Sequence, residues 1–273
     1  VNKVGWLEKE KPVLTGGDAS LRPVAVAPCS SDTHMSHGGS GPRTNVILGH
    51  EAIGEIVEVA DNVKNFKQGD IVVVPCVTPD WDAVPLQDPD HSEAHDHSLM
   101  GGFKFLSSKD GVFGEFFHVN NADANLVHMP DDVTIEQALM TVDMMSTGFY
   151  GAEMAKVKLG DTVVVFGIGP VGLMAVAGAK LRGAGEIIAI GTRPNCVELA
   201  KEYGATKILS YKEGDLADQV RALYPEGVDC TIIAGGTTNN ITQSLRMVKP
   251  GGIISNVNYY DPSETVSFPA LLW

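Results

Sequence analysis

The segment whose residue types and spacing speak most directly of chemistry is Gly167-Ile168-Gly169-Pro170-Val171-Gly172. It fits GxGxxG, a weak string by itself in a chain with 30 glycines, so its meaning depends on its flanks. Ahead of it, Thr162 to Phe166 is a run of β-formers, and behind it Leu173 to Ala179 offers small residues for a closely packed helix. In such a turn the first glycine permits the sharp bend and the second lets a pyrophosphate approach the backbone. The third lets helix and strand touch. Gly167, Gly169, Pro170, Val171 and Gly172 are therefore expected to bind a dinucleotide.

After the next strand, an NAD site would carry an acidic residue for the ribose 2′-hydroxyl. The chain reads Gly191-Thr192-Arg193-Pro194 there. Gly191 leaves room, Thr192 can donate a hydrogen bond, and Arg193 presents a permanently charged planar fork suited to a 2′-phosphate. NADP is the expected cofactor.

Metal chemistry is less legible. Cys29 lies in Ala27-Pro28-Cys29-Ser30-Ser31-Asp32, and His50 with Glu51 in Ile47-Leu48-Gly49-His50-Glu51-Ala52. Neither has zinc-motif spacing, and a lone cysteine or histidine is ordinarily a packed core residue. Asp143, in Val142-Asp143-Met144-Met145, reads alone as an ordinary helix-end acid. His91, His95 and His97 alternate with Ser, Glu, Ala and Asp in Thr78 to Gly102, a stretch of little periodicity read as a solvated surface loop.

The elements that must position these residues change character near residue 130. From Val24 to about Val127, short β-rich runs such as Ala52 to Val59 and Asp70 to Val74 alternate with turn residues. Past Pro130, Thr134 to Met145 is helical in pattern, and from Asp161 a βαβαβ rhythm sets in. Its strands are Thr162 to Phe166, Glu186 to Ile190 and Lys207 to Ser210, separated by helices Val171 to Arg182 and Cys196 to Tyr203. Helix Asp215 to Tyr224, strand Val228 to Ile233, helix Thr238 to Met247 and strand Gly252 to Asn256 follow.

The chain has 273 residues, 44% hydrophobic, enough for a sizeable core. No apolar run reaches the roughly 20 residues of a bilayer span. Thirty-four acidic against 20 basic residues give a net charge of −14, which opposes general affinity for nucleic acid or anionic lipid. Four separated cysteines without a CxxC pair suggest neither a disulfide framework nor a four-cysteine zinc lobe. A cytoplasmic protein with reduced thiols is expected. Val1 in place of Met, and Trp273 arriving within the strand rhythm, suggest a chain lacking both ends.

Long segments in order, among them GHEAIGEIVEV, VVVPCVTPDW, KDGVFGEFFHVNNADANL, DMMSTGFYGAE, GIGPVGLMAVAGAKLRGAG and KPGGIISNVNY, resemble the zinc-containing medium-chain alcohol dehydrogenases. The resemblance is to the tetrameric NADP-dependent secondary alcohol dehydrogenases of anaerobic microbes. It implies an α/β chain with a GroES-like β-rich catalytic domain over 1–140. A Rossmann doubly wound parallel-sheet domain follows over 141–273, its C-terminal part missing.

By the same resemblance, Cys29, His50 and Asp143 hold one catalytic zinc, with Glu51 able to take a fourth position, and no structural zinc is expected. An open position on such a site suits a Lewis acid. Ser31 is implied to hydrogen-bond the substrate alcohol and His34 to carry its proton toward solvent. Thr147 is implied to line the nicotinamide, Tyr211 to lie near the adenosine phosphate, and Asn258 with Tyr259 to approach the cofactor from a later loop. The implied reaction is reversible oxidation of a small secondary alcohol to a ketone by a homotetramer. Relatives have Trp where this chain has Phe103, and commonly Ile at Val77, both near the family's substrate pocket. A polyol or aromatic alcohol therefore remains an alternative substrate, and a non-catalytic NADP-binding fragment an alternative role.

Overall fold

The computed structural model describes residues 3–39, 44–81, 104–106, 108–261 and 263–267. His91, His95, His97 and Phe103 lie outside them. The chain divides into two compact units, Val1–Asp143 and Met144–Trp273, so the division falls after Asp143 rather than after residue 140.

The first unit is built on an antiparallel five-stranded sheet of β1 (Ala19–Val26), β2 (Ala52–Val59), β3 (Ile71–Val74), β4 (Phe117–Val119) and β5 (Val127–His128), in the order β4-β1-β2-β3-β5. Strand β1 begins before Val24, the start expected from sequence, because Pro23 does not break it. Pro23 pairs with Gly54 at a register shift, the irregular position where a strand tolerates a residue lacking its N–H. Leu21, Ile56, Val72, Val74, Phe105 and Phe117 form the core. A short helix, α1 (Ser30–Ser36), follows β1 and was not foreseen. Helix α2 (Ala122–Asn125) leads into β5, and α3 (Ile135–Leu139) passes into a π-helical turn, Thr141–Met145. The helical run does not stop at Met145: α4 (Ser146–Met154) continues it into the second unit.

The second unit holds a parallel sheet of β6 (Thr162–Phe166), β7 (Glu186–Ile190), β8 (Lys207–Leu209), β9 (Val228–Ile233) and β10 (Val248–Asn256). Their order, β10-β9-β6-β7-β8, is doubly wound, with α5 (Pro170–Leu181), α6 (Pro194–Glu202), α7 (Leu216–Leu223) and α8 (Asn239–Met247) as connections. Alternate residues sort into two cores: Val163, Val165, Ile187, Ala189 and Ile232 in one, Val164, Phe166, Ile188, Ile190 and Ile233 in the other. Both faces of the sheet are buried, which is why its strands read as unbroken apolar runs. Among the described residues, no helix is long and apolar enough to cross a membrane.

Candidate metal centre and nucleotide turn

Three separate segments of the first unit supply side chains that could hold a metal ion. Cys29 precedes α1, and its N–H donates at 2.9 Å to Asp32, in the helix's first turn. That carboxylate also takes the Gly49 N–H at 3.0 Å and lies 3.2 Å from Nδ1 of His50. One buried aspartate thus ties the cysteine segment to the histidine segment and fixes the imidazole. Nε2 is left facing Asp143 at 3.4 Å and Glu51 at 3.7 Å. Asp143 sits in the π-helical turn, whose Val142 carbonyl accepts the Cys76 N–H at 3.1 Å. π-Turns of this kind commonly mark functional positions.

One ligand atom from each of Cys29, His50, Glu51 and Asp143 lies within 4.8 Å of the others, and His50 and Glu51 are fully buried. Neither Glu51 carboxylate oxygen accepts a hydrogen bond, an arrangement that costs on the order of several kcal/mol unless a cation compensates it. The proton affinities say the same. Burial opposes a charge on His50, but the Asp143 and Asp32 carboxylates and the Cys29 thiol outweigh it and push its pKa up to about 12. Burial and then the Asp143 charge push Glu51 up to about 7 against the pull of His50. Acidic donors crowded together in a buried place favour a cation among them. Thiolate, imidazole and carboxylate donors fit zinc in this place.

Around the cluster, the Cys29 thiol contacts the Ser31 hydroxyl at 3.6 Å. Ser31 is half-buried, while His34, in the last turn of α1, is exposed. Cys76 stands close enough that its thiol is pushed well above its usual range by burial and then by the charges of Asp143, Glu51 and Cys29. Sequence reasoning gave no role to Asp32 or Cys76. For Asp32 a signal existed, an acid three residues after Cys29, where a helix's first turn favours one. Nothing local flagged Cys76.

The residues expected to bind the nucleotide lie in the second unit. Gly167 has φ +83°, and a side chain on it would come within 3.0 Å of Gly235, so the turns after β6 and β9 run close together. A Cβ on Gly172 would lie 1.8 Å from the Gly167 carbonyl oxygen, so only glycine lets α5 approach the strand. Gly191 is buried, and a Cβ there would meet Ile168 at 2.2 Å. Arg193 is exposed, with Nη2 3.6 Å from where a Gly169 side chain would begin. Thr192 donates to the Tyr211 hydroxyl at 2.9 Å, and Tyr211 is 57% exposed. Guanidinium, threonine and phenol thus stand open beside the glycine turn. Asn258 reaches the Gly236 carbonyl at 3.3 Å, Tyr259 follows it, and Thr147 precedes Gly148, where α4 packs against α5. Val77 is half-buried next to Cys76.

The alcohol dehydrogenase GroES-like domain family matches residues 15–131, and the zinc-binding dehydrogenase family residues 170–272. An NADP-dependent isopropanol dehydrogenase of Clostridium beijerinckii is 54% identical over all of this chain and 78% of its own length. Its namesake from Thermoanaerobacter brockii is 56% identical with the same coverage. Among solved structures, the alcohol dehydrogenase TADH from Thermus sp. ATN1 superposes with a TM-score of 0.82 at 28% identity, over 98% of this chain and 78% of that one. With a cysteine, histidine and carboxylate cluster in one unit and a glycine turn flanked by arginine in the other, the chain belongs to the zinc-dependent alcohol dehydrogenase family.

Proposed function

We propose that the protein interconverts a small secondary alcohol and its ketone, with NADP as the redox partner and one zinc held by Cys29, His50 and Asp143, Glu51 taking a fourth position. The observation that carries this is the four-donor cluster with its buried, unbonded Glu51 carboxylate. The isopropanol activity named for the relatives supports the substrate class, and their NADP dependence agrees with Arg193 in the place of an acidic residue. Held by these residues, zinc would supply Lewis-acid chemistry and a dinucleotide on the glycine turn would supply the hydride chemistry.

The chain's own residues hold and move the proton. Ser31, beside the Cys29 sulfur, takes a hydrogen bond from the alcohol hydroxyl. His34, three residues on along α1 and open to water, passes the proton outward, a task suited to an imidazole near neutral pH. Asp32 keeps His50 Nε2 turned to the cluster. In the second unit, Gly167, Gly169, Pro170, Val171 and Gly172 receive the pyrophosphate, and Thr192, Arg193 and Tyr211 the 2′-phosphate. Thr147 lines the nicotinamide, and Asn258 with Tyr259 approach the cofactor from a later loop. A cytoplasmic homotetramer completes the proposal.

Steady-state kinetics across 2-propanol, ethanol, a butanediol and benzyl alcohol test the substrate class. The highest kcat/KM is expected for 2-propanol. A preference for the diol or the aromatic alcohol would replace the substrate assignment while leaving the hydride transfer in place.

A further inference from the structure

A second segment, outside the metal cluster, grips the residues just ahead of His50. The Gly111 N–H donates to the Ile47 carbonyl at 2.8 Å, Val112 to Gly49 at 2.9 Å and Phe113 to Leu48 at 2.9 Å. In return the Ile47 N–H donates to Oδ1 of Asp110 at 3.1 Å. The other Asp110 oxygen takes the Lys9 ammonium, which also donates to the Asn45 carbonyl at 2.9 Å. Lys9 therefore bridges the two segments from a third.

The fit is close on both sides. Gly49 has φ +95°, and a side chain there would meet the Phe113 ring at 2.4 Å. A side chain on Gly111 would meet the Gly49 carbonyl oxygen at 2.2 Å. The gripping segment is itself rooted: Lys109 donates to Thr78 and Asn120 at 2.9 Å each and lies 4.2 Å over the Phe105 ring.

We propose that Asp110–Phe113 is a clamp that sets the position of His50 and Glu51 for the metal, with Asp110 its positioning residue. This rests on the assignment of His50 as a metal ligand. Residues 45–51 form no helix or strand, and a glycine at positive φ leaves such a stretch many alternatives. Asp32 holds it from the cysteine side, and Asp110–Phe113 from the other. The Lys9–Asp110 pair is about one-third exposed at both partners, so as an ion pair it adds little. The contribution of Asp110 is an acceptor at the one point that aligns the Ile47 amide. Ligands need support of this kind, because small displacements weaken a metal site.

The test is zinc release from the zinc-loaded full chain to a chromophoric chelator, measured for wild type, Asp110→Ala, Asp110→Asn, Phe113→Ala, His50→Ala and Asp123→Ala. Asp123 accepts the Lys64 and Asn65 N–H groups at 2.9 Å each in another loop of the same unit, so its loss controls for a missing turn cap. Release is expected about 10-fold faster in Asp110→Ala and Phe113→Ala, and within about 3-fold of wild type in Asp110→Asn, which keeps an acceptor oxygen. Asp123→Ala should release zinc as wild type does. Equal rates for wild type, Asp110→Ala and Phe113→Ala overturn the clamp, as does an equal acceleration in Asp123→Ala. If His50→Ala retains zinc as firmly as wild type, the ligand assignment falls instead.

Discussion

The two units make their sites in opposite ways. In the second unit the proposed nucleotide turn is one contiguous sextet, and its geometry is backbone: Gly167 has φ +83°, and at Gly172 a Cβ would lie 1.8 Å from the Gly167 oxygen. In the first unit the proposed metal ligands come from three segments, brought together by long-range contacts, with Asp32 bonding the Cys29 and Gly49 amides and His50 at once. A site built from backbone announces itself in a short pattern. A site built from distant side chains does not, and it depends on residues that never touch the ligand.

The largest effects should come from cutting each site at its least replaceable point. His50→Ala removes a fully buried donor of the cluster, and alcohol oxidation should fall to background with zinc content lost. NADP binding by fluorescence should survive; its loss would show that the two sites are not separable in this way. Gly172→Ala should do the reverse, because a Cβ 1.8 Å from the Gly167 oxygen forces α5 off the strand. NADP binding should disappear while zinc stoichiometry stays at one per chain, and a variant that still binds NADP tightly would contradict the packing argument.

A smaller effect sharpens the contrast within the nucleotide turn. Arg193→Ala should weaken NADP binding by about 10- to 100-fold, the range expected for one charged hydrogen-bonding partner, and leave NAD affinity nearly unchanged. An equal loss for both cofactors would move Arg193 from the 2′-phosphate to a general role.

The mildest effect concerns pH in the metal-free protein. Glu51 holds a proton up to about 7 instead of 4.5, and His50 up to about 12 instead of 6.5, so this pair binds more protons folded than unfolded. The stability this pair contributes should therefore fall as pH rises from 4.5 to about 7, and zinc, which replaces those protons, should remove that decline. Above 7 the effect of His50 is opposed by Lys109, which burial pushes down to about 7. Urea melts at several pH values with and without zinc read this directly. Metal-free stability that rises over that range would contradict the charge balance of the cluster.

These contrasts explain what the sequence made legible. The parallel sheet was readable because both its faces are buried, giving apolar runs such as Val163-Val164-Val165-Phe166 bounded by glycine. The sextet and the missing acid after β7 were local patterns. Cys29, His50 and Asp143 had no such pattern and came only with the resemblance to a family. Helix α1 was missed because Ser30 to Ser36 is short and polar; Asp32, bonded at the Cys29 amide, is its only buried residue. Gly191, expected to leave room for a phosphate, is buried, and a Cβ there would meet Ile168 at 2.2 Å. Such contacts are long-range and leave no trace in spacing.

The most direct measurement is NADPH formation at 340 nm during 2-propanol oxidation by the purified chain, after metal removal and after reloading with one equivalent of zinc, with NAD in parallel. The account predicts no turnover in the metal-free protein, turnover restored by zinc, and a clear preference for NADP. Turnover that survives complete removal of zinc, or that proceeds equally well with NAD, would contradict it.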